Sequence, residues 1–229
     1  MELRPGAAVD ADRSGDVFLV RLADGTHVRA HAVVLAHGLR YDPPPLPGIE
    51  ALWGRSVFHC AFCDGWEVRD RPLAFHGSGP GAVRSALVLA GWSNDVVLCT
   101  DGAPDPGGAV LAAAGVRVRT EPIARLAGSD GRLAQLEFSH GPAEPREALF
   151  VNTRRDQPNG LAAALGCDLS PAGTIVTDAD GRTNVPGVYA AGDTTTAHSR
   201  SVANAIGTGS RVAYAVALDR VAPVVAAAA

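Results

Sequence analysis

The stretch HCAFCDGWEVRD, residues 59–70 of this 229-residue chain, sets two cysteines two residues apart and puts an acid directly after the second. Cys-x-x-Cys serves either as half of a metal site or as a redox pair. A structural zinc site needs four ligands, usually from two such pairs. The other two cysteines, Cys99 and Cys167, stand alone, and Cys99 falls inside an apolar strand pattern where a buried, inert thiol is expected. His59 adjoins Cys60 without a second ligand pair, so no metal is expected. At the start of a helical turn the same spacing brings two sulfurs within bonding distance. The helix N-terminus and local charge then lower a thiol pKa towards neutrality. Cys60 and Cys63 therefore read as a reversible disulfide, with Asp64 able to carry the proton that exchange must move. The plain alternative for Asp64 is a first-turn acid favoured by the helix dipole.

A second chemical signal is GSGPGA, residues 77–82. Gly77 permits a tight turn, Gly79 lets a pyrophosphate approach the backbone, and the small Ala82 lets helix and strand pack closely. The following helix supplies free amides and a partial positive charge. The apolar LAF before it and the helical pattern after it give the strand–loop–helix context of a dinucleotide site; a plain tight turn is the alternative. At the end of the next strand stands Asp101, with no arginine between Arg84 and Arg117. An acid there suits the 2′-hydroxyl of NAD(H) rather than a 2′-phosphate, unless Asp101 is only a solvated turn acid.

The third is GVYAAGDTTTAHSRSVANAIGTG. A buried strand ends in Gly192-Asp193, where an acid can bind hydroxyls of a ribityl or ribose chain. The helix start at Arg200, Ser201 and Val202 can meet a flavin oxygen or phosphate through its free amides. An ordinary strand–helix turn explains the pattern equally well.

The elements that must position these groups are an α/β set. VFLVRLADGTHVRAHAVVLAHG predicts two strands joined at Asp24-Gly25 and a buried strand over 32–36. The prolines of DPPPLPGIEALWG predict a rigid connector. A β-loop-α-β run follows, with Val83, Leu87 and Ala90 on one helical face. Further strands are expected at 116–118, 133–138 and 148–151. LAAALGCDL reads as helical, and a long helix is expected over 199–220 with Val202, Ala205, Ile206, Ala213 and Val216 on its apolar side. Net charge is −4, which disfavours nucleic acid or an anionic membrane as partner. The N-terminus has no apolar signal segment and no stretch has the length of a membrane span, so a reducing cytoplasm is expected.

Taken together, HCAFCDG, GSGPGA, TNVPGVYAAGD and SVANAIGTGSRVA resemble the thioredoxin reductase-like flavoproteins of the pyridine nucleotide–disulfide oxidoreductase class. The resemblance implies two doubly wound, Rossmann-like domains: a discontinuous FAD domain over 1–52 and 152–229, and a nicotinamide-dinucleotide domain with the cysteine pair over 53–151. It implies that Cys63 faces the flavin, Cys60 attacks the substrate disulfide and Asp64 is the acid–base. Asp193 would bind the FAD ribityl region, and Arg200 to Val202 would lie near the flavin ring. Electrons would pass from NAD(P)H to FAD, to the cysteines, and to thioredoxin or a small disulfide; a homodimer is the assembly implied by analogy. HCAFCDGWE and NAIGTGS also resemble relatives that oxidise small dithiols with oxygen as acceptor. Two departures stand out. The family's NADP-binding arginines are replaced by LCTDGAPD, and the family's first strand and G-x-G-x-x-G loop for the ADP half of FAD fall before the point at which this chain starts, its N-terminal strands resembling the middle of the FAD domain. The latter predicts an incomplete FAD domain, and admits a non-catalytic remnant as a further alternative.

Overall fold

The computed structural model describes residues 2–104, 107–195 and 200–227. The chain divides into two compact units, Met1–Tyr41 with Arg155–Ala229, and Asp42–Arg154. These divisions differ from the segment ends expected at 52/53 and 151/152. The proline-rich connector packs into the second unit: Leu46, Ile49 and Leu52 are buried in its core with Val57, Val97 and Leu149.

The second unit is built on a five-stranded parallel sheet. Its order is Val57–Phe58, Ala148–Val151, Leu73–His76, Val96–Cys99, Val116–Arg119. Strand side chains alternate between the two faces, and here both faces are covered. Ala74, Val97, Cys99, Leu149 and Val151 point into one apolar cluster, shared with the antiparallel ribbon Ile123–Ser129 and Arg132–Phe138. Leu73, Phe75, Val96, Leu98, Ala148 and Phe150 point into the other, beneath helix Gly79–Ala90. The α/β class expected from the sequence is the one found. On the helix, Ala82, Ala86 and Leu89 are the fully buried residues, while Val83, Leu87 and Ala90 flank them. The expected face was thus rotated by about one residue, because the small alanines let the helix sit close to the sheet.

The first unit holds an antiparallel sheet of Ala8–Ser14, Val17–Leu22 and His27–Ala30, and a parallel pair, Val33–Leu35 with Val188–Ala190. Asp24 closes the expected hairpin by accepting the Thr26 amide at 2.9 Å. Helix Val202–Ala227 packs on this unit through Val212 and Ala215, each 2% exposed. That corrects the expected apolar face: Val202 is 77% and Ile206 68% exposed. The helix is held instead by Asp219, which takes a bidentate pair from Arg182 at 2.7 and 2.9 Å and the Tyr189 hydroxyl at 2.8 Å. Ser199, expected to open the helix, lies outside the described residues. No helix among the described residues is long and apolar enough to cross a membrane.

A half-buried ion network braces the sheet of the second unit. Arg146, 2% exposed, pairs with Glu144 and with Asp95 at 2.9 Å, and Arg117 reaches Glu144 at 2.7 Å. Burial alone would raise the Glu144 carboxyl, but Arg117 and Arg146 hold it below the ordinary range, and Asp95 behaves likewise. Because these pKa values are depressed on folding, their contribution is present above the unfolded values and lost as pH falls. Arg146→Ala is expected to cost roughly 2–4 kcal/mol at neutral pH, with the difference shrinking below about pH 4 as both carboxylates protonate. Urea unfolding across pH reads both.

Candidate functional site

Cys60 and Cys63 are joined by a disulfide, Cα atoms 5.3 Å apart, while Cys99 and Cys167 are buried free thiols. Cys60 is the extended N-cap of the single-turn helix Ala61–Asp64. Its carbonyl accepts the Cys63 and Asp64 amides at 3.1 and 3.2 Å, so backbone bonds hold the spacing that lets the sulfurs meet. Ala61 packs on the cluster that also seats Ala82 and Ala86 of the glycine-loop helix. Gly65 ends the turn where a Cβ would overlap the Ala61 carbonyl and the Trp92 indole, so only glycine fits. Cys63 is exposed and Cys60 half-buried. Burial raises the Asp64 carboxyl above the usual carboxylate range; His59 opposes the shift and Glu67 adds to it. The same turn projects two aromatic side chains into solvent, Phe62 at 82% and Trp66 at 60% exposure, with the Arg69 guanidinium 3.8 Å from the Trp66 ring. Neither was singled out in the sequence, although an aromatic between two cysteines was there to be seen.

Across the same core, Gly77 and Gly79 take the glycine conformations φ +157° and +74°. A Cβ on Gly77 would press on Asn152 and Phe75, whereas the space beside Gly79 is open. Ser78 is the N-cap and makes no side-chain bond. Ala82 is wholly buried. Asp101, at φ +52°, is not simply a solvated turn acid: Oδ1 accepts the Ile123 amide at 3.2 Å and Oδ2 lies 3.6 Å from Nε2 of the buried His76. His76 ends the strand that feeds the glycine loop, so Asp101 lies beside the base of that loop. Burial lowers the His76 pKa against the pull of Asp101.

In the first unit, Gly192 at φ +74° starts the 3₁₀ turn Gly192–Thr194 and donates its amide to Thr208 Oγ1 at 3.0 Å. Asp193 is half-buried and receives the Tyr41 hydroxyl at 3.5 Å. Burial pushes the Tyr41 phenol up, Asp193 adds to the shift, and Arg200 and Arg155 oppose it. Ser201 does more than precede the helix. Its Oγ accepts the Asn204 amide at 3.1 Å, so one of the amides expected to be free is capped. Val202 opens the helix, largely exposed. Tyr41, Thr208 and His37, which contacts Thr194, were missed in the sequence, since each joins the turn only through the fold.

The protein-family model described as pyridine nucleotide-disulphide oxidoreductase matches residues 2–209. A component of the alkyl hydroperoxide reductase of Pseudomonas putida is 31% identical over 94% of this chain, which spans 43% of that protein. Thioredoxin reductase of Streptomyces coelicolor is 30% identical over 91% of this chain and 68% of its own length. Among solved structures, HlmI superimposes with a TM-score of 0.87 at 38% identity, over 97% of this chain and 72% of that one. An oxidoreductase of Agrobacterium tumefaciens gives 0.85 at 31%, over 95% and 74%.

The thiol environments lead to a direct test. Burial pushes Cys99 up to about 12 and also raises Cys167. After mild reduction of the native protein, iodoacetamide at about pH 8 is expected to label Cys60 and Cys63 and spare the other two. Mass spectrometry of the alkylated peptides reads the pattern; a Cys99 labelled as fast as Cys63 contradicts it.

Proposed function

The chain belongs to the pyridine nucleotide-disulphide oxidoreductases, and from that premise we propose that it is a flavin-dependent thiol–disulfide oxidoreductase working through Cys60 and Cys63. The observation that carries this reading is the closed disulfide on a backbone-locked turn beside a glycine loop in the same core. Reduced Cys60 attacks the substrate disulfide as a thiolate, forming a mixed disulfide and releasing one substrate thiolate. Cys63 then attacks Cys60, which closes the pair again and releases the second substrate thiol. Asp64, whose raised pKa suits a proton carrier, protonates the leaving sulfur. Phe62 and Trp66 offer the substrate an apolar surface, suited to a thioredoxin-like protein or a small apolar disulfide.

The second unit is the nicotinamide-dinucleotide domain in this reading, with Gly77, Gly79 and Ala82 admitting the pyrophosphate to the helix amides. FAD fits the first unit. Three buried side-chain nitrogens without a hydrogen-bond partner, His37 Nε2, Arg200 Nε and Asn204 Nδ2, lie on segments around Gly192 and Asp193. A polar ligand resolves such orphans. When bound, FAD supplies the two-electron relay between a nicotinamide donor and the cysteine pair. Asp193 would hold its ribityl hydroxyls, and Arg200, Ser201 and Val202 would flank the ring. A second reading, dithiol oxidation with oxygen as acceptor, is favoured by the hydrogen bond from the Ile123 amide to Asp101 Oδ1, which engages the acid otherwise expected to grip a donor's ribose.

Two measurements test this. On protein supplied with FAD, Asp64→Asn is expected to lower kcat for disulfide reduction about 10²-fold while the Cys60–Cys63 disulfide still forms; unchanged kcat removes Asp64 from the mechanism. With the unsubstituted chain, NADH is expected to serve at least as well as NADPH, because Asp101 repels a 2′-phosphate. A strong NADPH preference contradicts that role. Turnover with neither donor, together with dithiol-dependent oxygen uptake, favours the oxidase.

A further inference from the structure

His37 was given no chemical role in the sequence, yet its imidazole is set up in an unusual way. Nδ1 lies 3.3 Å from the Gly38 carbonyl oxygen and 3.5 Å from Thr194 Oγ1. Both neighbours are acceptors. A carbonyl has no proton to give. Thr194 has already committed its one proton to Gln157 Oε1 at 2.7 Å. The orientation of that amide is fixed in turn, since Gln157 Nε2 donates to the carbonyls of Gly173 at 2.9 Å and Thr194 at 3.2 Å. The network therefore assigns the imidazole proton to Nδ1. In the neutral ring this leaves a bare lone pair on Nε2. That atom is buried and has no partner among the described residues. An unsatisfied buried acceptor is costly, so its position marks where a donor group is to be received.

The chemistry of that lone pair selects the ligand group. A lone pair needs a donor, which excludes a phosphate oxygen and calls for O–H or N–H. The neighbouring Asp193, one residue from the Thr194 that His37 touches, is also an acceptor. Two acceptors side by side suit a chain of hydroxyls. We propose that His37 is a cofactor-contact residue that accepts, through Nε2, a hydrogen bond from a hydroxyl of the flavin nucleotide's sugar-alcohol chain, working alongside Asp193. The proposal rests on the reading of the first unit as the flavin domain. It adds a specificity element to that domain: Gln157, through Thr194, sets the His37 tautomer and so the kind of atom the site accepts.

Substitutions that each keep one ring nitrogen separate this role from a structural one. Glutamine can place an acceptor where Nε2 was, and asparagine can place a donor where Nδ1 was. FAD affinity is read by flavin fluorescence, with far-ultraviolet circular dichroism confirming that each variant is folded. His37→Ala and His37→Asn are expected to weaken FAD binding about tenfold, and His37→Gln to stay within about threefold. If His37→Asn binds like the unsubstituted chain and His37→Gln does not, the histidine acts through its Nδ1 contacts and the proposal is overturned. Equal affinity in all three overturns it as well. Lack of saturable FAD binding by the unsubstituted chain overturns the flavin reading itself, a result distinct from any pattern among the variants. Nitrogen-15 spectra of the imidazole give a readout that does not depend on variant folding: a proton on Nδ1, and an Nε2 resonance that moves when FAD is added, are expected. A proton found on Nε2 overturns the assignment.

Discussion

The second unit depends on one constraint, that a parallel sheet must be covered on both faces. Every strand of that sheet alternates strictly, sending Leu73, Phe75, Val96 and Leu98 to one side and Ala74, Val97 and Cys99 to the other. Such a sheet leaves only the carboxyl ends of its strands for polar chemistry. His76 and Thr100 stand at or just beyond those ends, and the glycine loop and Asp101 follow directly from them. The helix that caps the sheet brings Ala82 and Ala86 onto the same cluster as Ala61, so the redox turn and the glycine loop are seated on one packed layer.

Much of this was legible in the sequence because it is local. Two cysteines at i and i+3, a glycine loop between a strand and a helix, and an Asp-Gly hairpin each carry their geometry within a few residues. What failed to be legible depends on distant partners. The face of helix Val202–Ala227 could not be chosen from periodicity alone, since alanine and glycine recur on all sides, and the decision is made by Asp219 reaching Arg182 and Tyr189. Strand Ala8–Ser14 was not foreseen because only Ala11 in it is fully buried. The tie from Asp101 to Ile123 spans 22 positions, and that from His37 to Thr194 spans 157. No spacing rule reaches so far.

The acids of the chain sit in contrasting settings. Near the disulfide, burial raises the Asp64 carboxyl, which suits proton transfer. In the ion network, arginines hold Glu144 and Asp95 charged, which suits bracing. Asp193 stands between these cases, half-buried with a weak phenol contact and capacity left to accept more hydrogen bonds. The same chemical group thus differs in charge and free hydrogen-bonding capacity according to what lies beside it.

Gly65 has a consequence for timing. A side chain at this position would meet the Ala61 carbonyl and the Trp92 indole, and the Cys60 carbonyl holds the Cys63 and Asp64 amides, so the backbone bonds that set the sulfur spacing do not depend on the sulfur–sulfur bond itself. The two thiols stay at a high effective concentration for one another, and closing the pair again requires rotation about side-chain bonds rather than a search by the backbone. On the proposed reading, a mixed disulfide on Cys60 would therefore be short-lived, because Cys63 stays within reach of it.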